Sequence, residues 1–229
     1  MNRRKNDKMS VCFSLHTYKL IPAINKHILL TLREFINRYD TENSIVLLEG
    51  KRNVPDEDKR KLIDLAKLLV TETSKMIFRS GNAEGSDQLF SDPISLVDNK
   101  RLQVITPYSG HRQKSNQAYK TYSLDNINLA AEPEVIYHSK SNKKTEKLID
   151  QYVSGNNNRY TIKAAYIIRD TIKAIGTDEI KPATFGIFYD DLTNPKTGGT
   201  GHTMNVCVEN NIPIIDQTIW FNWLEKYLI

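Results

Sequence analysis

The chain has 229 residues, with Lys+Arg 32 against Asp+Glu 27, a formal net charge of +5. Hydrophobic residues make up 39% and charged residues 26%, which excludes a disordered chain and allows one large domain or two small ones. No apolar run approaches the ~18 residues that span a bilayer, the basic start leads into a stretch broken by Ser14, His16, Thr17 and Lys19 rather than a signal-peptide core, and two cysteines, Cys12 and Cys207, supply neither a disulfide framework nor a zinc site.

The basic N-terminal arm (Arg3, Arg4, Lys5, Lys8) shows no clear period to about residue 20. Ile24, Ile28, Leu29, Leu32, Phe35 and Ile36 then form a helical stripe over residues 24–39. SIVLLEG, residues 44–50, is a short apolar run, as expected for a strand buried on both faces. Pro55 followed by Asp56, Glu57 and Asp58 marks a helix start, and Leu62, Ile63, Leu65, Ala66, Leu68 and Leu69 supply its apolar face. KMIFRS (75–80) predicts a second strand, residues 81–86 a tight loop, residues 87–90 the start of a short helix, and RLQVITP (101–107) a third strand. ATFGIFYD (183–190) predicts the next strand, followed by a Gly-rich loop at 198–201, a helix to about residue 210, and a last strand, IPIID (212–216). Trp220, Trp223, Leu224, Tyr227 and Leu228 have helical spacing in a closing helix.

Strands alternating with helices predict an α/β fold, an open, mostly parallel Rossmann-like sheet with helices on both faces. The span from 108 to 181 exceeds the roughly dozen residues of a simple crossover, so it holds an insert, with helices read at 143–153 and 160–175. The expected division is an arm and helix over 1–43 and a single domain over 44–229.

Three glycine-containing loops each follow a predicted strand, and in open α/β sheets the ligand crevice lies at the carboxyl ends of the strands. The first loop offers Gly50, Lys51 and Arg52; the guanidinium fork of Arg52 suits phosphate. The second, RSGNAEGSD, offers Arg79, Ser80, Gly81, Gly85 and Ser86, with Glu84 and Asp87 as carboxylates able to face a ribose, cap the helix or act as an acid or base. The third, TGGTGHT, offers Gly198, Gly199, Thr200, Gly201, His202 and Thr203. Its glycines permit close backbone approach, and the helix after it presents free N–H groups to an anion. It is neither a Walker loop nor the dinucleotide fingerprint. The five histidines show no metal-ligand spacing, so no metal and no cofactor are expected.

In this order, these loops resemble the SLOG superfamily, which includes the Lonely-Guy nucleotide phosphoribohydrolases, the DNA-processing protein A family and the YspA-like proteins of phages and mobile elements. The similarity is greatest to the YspA-like branch. It rests on the G-x-R element at Gly50–Arg52, the R-S-G-x-A-x-G-x-D element at Arg79–Asp87, VITPY (104–108), YIIRDTIKAIG (166–176, with Asp170 where asparagine is common), the GGTG loop and the closing strand at 212–215. The resemblance implies a nucleotide or nucleotide-derived ligand, and hydrolysis of an N-glycosidic bond if the protein is an enzyme. The loop departs from the phosphoribohydrolase pattern: Asn205 stands where that group has its glutamate, so Glu84 or Asp87 would have to supply the carboxylate. Two alternatives follow. One is single-stranded nucleic-acid binding through the basic arm and the Lys140, Lys143, Lys144 and Lys147 cluster, with Tyr108, Tyr119 or Tyr122 stacking on bases. The other is a non-catalytic nucleotide sensor or sponge in phage–host conflict. A cytoplasmic location and no membrane partner complete the expectations; the aromatic closing helix is read first as packing on the sheet and second as a homodimer face.

Overall fold

The computed structural model describes residues 30–156 and 158–227. The basic arm, Cys12, the start of the stripe at 24–29 and Leu228 lie outside the described residues. Among the described residues six strands form one all-parallel sheet: β1 (Ile45–Gly50), β2 (Ile77–Ser80), β3 (Leu102–Thr106), β4 (Lys120–Ser123), β5 (Phe185–Tyr189) and β6 (Ile214–Ile215). Their spatial order is β4-β3-β2-β1-β5-β6. The chain winds outward from β1 to β4, then returns to place β5 on the other side of β1. The winding reverses between β1 and β5, and such a switch point opens a crevice at the strand carboxyl ends.

The period of two along each strand sorts the side chains onto two faces. Val46, Leu48, Phe78, Phe185 and Ile187 join one core with residues of α2 (Asp56–Glu72), α3 (Ser86–Asp98) and α8 (Gln217–Tyr227). Leu47 and Phe188 face the opposite side and pack with α6 (Ile162–Ile175) and α7 (Gly198–Glu209). Ile105 joins a neighbouring cluster with α6, α4 (Pro133–Ser139) and α5 (Lys143–Val153). The expected α/β architecture with helices on both faces is the one observed.

Several local expectations are corrected. Among the described residues the first helix, α1 (Leu32–Tyr39), starts after Thr31, whose hydroxyl accepts from Glu34 N–H while Glu34 accepts from Thr31 N–H, a capping box that sets this boundary where periodicity alone does not. Its Phe35 is fully buried against Phe185 and Trp223, so this helix belongs to the core. The insert contains a sixth strand, β4, hidden in the sequence because KTYS is short and half-exposed at the sheet edge. It also holds α4, which the sequence did not announce. The glycines of the third loop are not a loop but the first turn of α7.

Candidate functional site

The site grows from the turns that follow β1, β2 and β5. After β5, the Asp190 carboxylate accepts the Lys196 N–H at 2.8 Å and folds the connection back on itself. The Gly201 N–H then bonds the Thr197 carbonyl at 3.0 Å. A Cβ on Gly201 would run into the Lys196 carbonyl, so the close approach requires glycine here. Thr197 makes no side-chain cap, and Gly198 and Gly199 are exposed, so the first N–H groups of α7 open outward. After β1, the Lys51 carbonyl accepts the Ser86 hydroxyl at 2.7 Å and ties the first loop to the start of α3. Gly85, at φ 83°, lies against the Arg52 carbonyl.

Between these turns and α6 lies a cleft of about 510 Å³. It sits at the switch point, where Glu49 and Gly50 end β1. Of the residues singled out in the sequence, Gly50, Arg52, Glu84, Asp87, Gly198, Gly199, Thr200 and His202 line it. The others have different surroundings. The Lys51 ammonium lies 5.4 Å from the Tyr189 ring centre. Arg79 is buried on the α6 face of the sheet, donating to the Lys173 carbonyl at 3.0 Å and Gln103 Oε1 at 3.2 Å; burial lowers its pKa to about 10. Ser80 and Gly81 are buried, and Gly81 is bonded through both its N–H and its carbonyl. Thr203 donates to Glu49 Oε1 at 3.1 Å. Gly85, Ser86 and Gly201 shape the turns.

The two candidate carboxylates are both engaged. Asp87 Oδ2 accepts the N–H groups of Gly81 (3.0 Å) and Ala83 (3.3 Å), which staples the second loop. Glu84 pairs with Arg112 at 2.5 Å. His202 Nε2 lies 2.9 Å from the Thr171 hydroxyl, and burial lowers its pKa, which favours a neutral ring. Asn205 is exposed and is not among the residues lining the cleft. Cys207 is buried, which pushes its thiol up to about 12.

The floor of the cleft carries charges that lie outside the three glycine-containing loops. Lys173 Nζ lies 2.6 Å from Glu49 Oε2 and 2.9 Å from Asp170 Oδ1. Arg169 Nε lies 3.0 Å from the same Asp170 oxygen, and its Nη1 donates to the Gly81 carbonyl at 2.6 Å. All four side chains are buried. Burial raises the pKa of both acids, but Asp170 has Arg169 and Lys173 beside it and stays below its ordinary value. For Glu49, burial outweighs Lys173, and with the nearby Asp170 and Asp87 it raises the carboxyl to about 7. Tyr166 and Lys163 of α6 complete that wall. Behind Tyr166, His111 Nε2 lies 3.2 Å from its hydroxyl, and burial with Arg169 and Arg112 nearby lowers the imidazole pKa to about 4. The signal was present in the sequence: a helix with an otherwise apolar inner face carries charges at 169, 170 and 173.

The basic cluster of the insert is looser. Lys140 pairs with Asp150, while Lys143, Lys144 and Lys147 are exposed. Tyr119 is exposed, and Tyr122 is half-buried with Lys120 over its ring. Among the described residues no helix is long and apolar enough to cross a membrane.

Fold and cleft together define a Rossmann-like α/β protein with a polar crevice at its topological switch point. No family model and no curated protein matches the chain. Among solved structures, DNA processing protein A from Helicobacter pylori, which binds single-stranded DNA, superposes with a TM-score of 0.46 at 13% identity, covering 78% of this chain and 67% of that one.

Proposed function

We propose that the cleft binds a phosphorylated nucleoside and holds it without cleaving it. The observation that carries this reading is the first turn of α7: uncapped, built from exposed glycines, and opening into a cleft at the switch point. The phosphate would sit on Gly198, Gly199 and Thr200, where free N–H groups and the positive helix end favour an anion. Arg52 and Lys163, both exposed on the cleft wall, would supply the balancing charge. The order of the three loops supports a SLOG-type assignment. In this reading residues 44–229 act as one domain onto which α1 packs, and the insert 108–181 contributes Lys163, Tyr166, Arg169 and Asp170 to the cleft.

Capture is favoured over hydrolysis because Glu84 pairs with Arg112 and Asp87 anchors the second loop through one oxygen, which fixes both carboxylates in place. Isothermal titration with the four nucleoside 5′-monophosphates, with mass spectrometry of bound and released material, tests both parts. One of the panel should bind and be recovered intact, and Arg52→Glu with Lys163→Glu should weaken it at least tenfold with little change in melting temperature. Recovery of free base would refute capture, and binding that ignores both charge reversals would refute the placement of the phosphate.

A further inference from the structure

Asp87 and Asp170 share an arrangement that the phosphate reading leaves unused. Each is almost completely buried, at 2% and 4% exposure, and each lines the cleft. Each has one oxygen committed. Asp87 Oδ2 holds the Gly81 and Ala83 N–H groups, and Asp170 Oδ1 holds Arg169 and Lys173. The other oxygen of each accepts no hydrogen bond from the described residues. Arg169 lies between the two acids: its Nε meets Asp170, and its Nη1 bonds the carbonyl of Gly81, whose N–H bonds Asp87. One rigid guanidinium therefore positions both carboxylates. Asp170 Oδ2 lies 2.9 Å from where a Cβ on Gly199 would stand, so this free oxygen sits directly under the first turn of α7.

A carboxylate oxygen that opens on the cleft with no protein donor is left to water or to a donor on a ligand. It also repels phosphate, so with the phosphate on the solvent side of the α7 turn these two oxygens face a different part of the ligand. They call for donors on a neutral part of the ligand, next to the group held by the helix. Two acceptors flanking one arginine suit two neighbouring hydroxyls.

We propose that the free oxygens of Asp87 and Asp170 form a cis-diol subsite that accepts the 2′- and 3′-hydroxyls of a ribose and selects ribonucleotides over deoxyribonucleotides. This rests on the phosphorylated-nucleoside reading above and deepens it. Asp170 is the specificity-determining residue, because its partners hold it ionised while leaving one oxygen open. Asp87 does double duty, stapling the loop with one oxygen and facing the sugar with the other.

Titration of the unaltered protein with the four ribonucleoside 5′-monophosphates, their 2′-deoxy counterparts and their 3′-deoxy counterparts tests this without any substitution. Loss of either hydroxyl should weaken binding about tenfold or more, the usual effect of a hydrogen bond to a charged group. Asp170→Asn, with melting temperature followed alongside, should bring the ribo-to-deoxy ratio toward one; a ratio unchanged in a folded variant would overturn the role of Asp170. Equal affinity of ribo and deoxy forms for the unaltered protein would overturn the diol subsite and leave the phosphate reading standing. Failure of every nucleotide to bind would overturn both.

Discussion

Glu49 gives the sharpest test of the buried charge cluster. Its carboxyl rises from an ordinary 4.5 to about 7, because burial and the neighbouring acids outweigh Lys173. Below pH 4.5 the group is protonated whether the chain is folded or not, and it contributes no pH dependence. Between pH 4.5 and 7 the unfolded chain releases the proton and the folded chain keeps it, so stability falls as pH rises through this window. At ~1.4 kcal/mol per pH unit the full loss is about 3 kcal/mol, of which about 2–3 kcal/mol falls between pH 5 and pH 8. Glu49→Gln cannot titrate. The substitution also removes a partner of Lys173, but Lys173 stays charged across this range and keeps Asp170, so that cost is the same at both ends. The measurement is urea denaturation of both proteins at pH 5 and pH 8. The advantage of the unaltered protein over Glu49→Gln should shrink, or its deficit grow, by about 2–3 kcal/mol from pH 5 to pH 8. Parallel stability curves, differing by the same amount at both pH values, would refute a displaced Glu49.

The other predictions concern packing and partners. Gly201→Ala puts a methyl into the Lys196 carbonyl and should destabilise by about 1–3 kcal/mol; the sign is diagnostic, since an unobstructed Gly→Ala change within a helix would stabilise by about 1 kcal/mol. Arg79→Met removes the donors to the Lys173 carbonyl and Gln103, and thermal unfolding should show a loss of about 2–4 kcal/mol; an unchanged melting temperature would show that these bonds are not made. Oligonucleotide binding measured against salt separates a polymer from a small ligand: a single-strand binder loses affinity steeply with salt, whereas the phosphorylated-nucleoside reading expects nucleoside monophosphates to compete and short single strands to bind weakly at ~100 mM salt.

Much of the fold was legible because its determinants are local. Apolar runs such as 44–50 identify strands buried on both faces, and Pro55 with three acids marks a helix start. The start of α1 needed the capping box at Thr31 and Glu34, which is also written in the sequence but was masked by a stripe that continues upstream. β4 was not legible: four residues at a sheet edge, with an exposed Lys120 and Thr121, carry no hydrophobic signature. The strand exists because β3 offers an unpaired edge.

The site divides along the same line. The amino-acid sequence by itself determined that glycine-bearing turns follow the strands and that the third leads into a helix, because tight turns and close backbone approach demand specific residue types at specific places. Only the tertiary structure decided which of their side chains meet. Arg79 and Arg52 look equivalent in the sequence, yet strand alternation turns Arg79 under α6, while Arg52, beyond the strand end, reaches the cleft wall. Glu49 on β1 lies more than a hundred residues from Asp170 and Lys173 on α6. Their pairing, and the open carboxylate oxygen it leaves in the cleft, arises only when the winding reverses at β1 and brings that helix over the strand end.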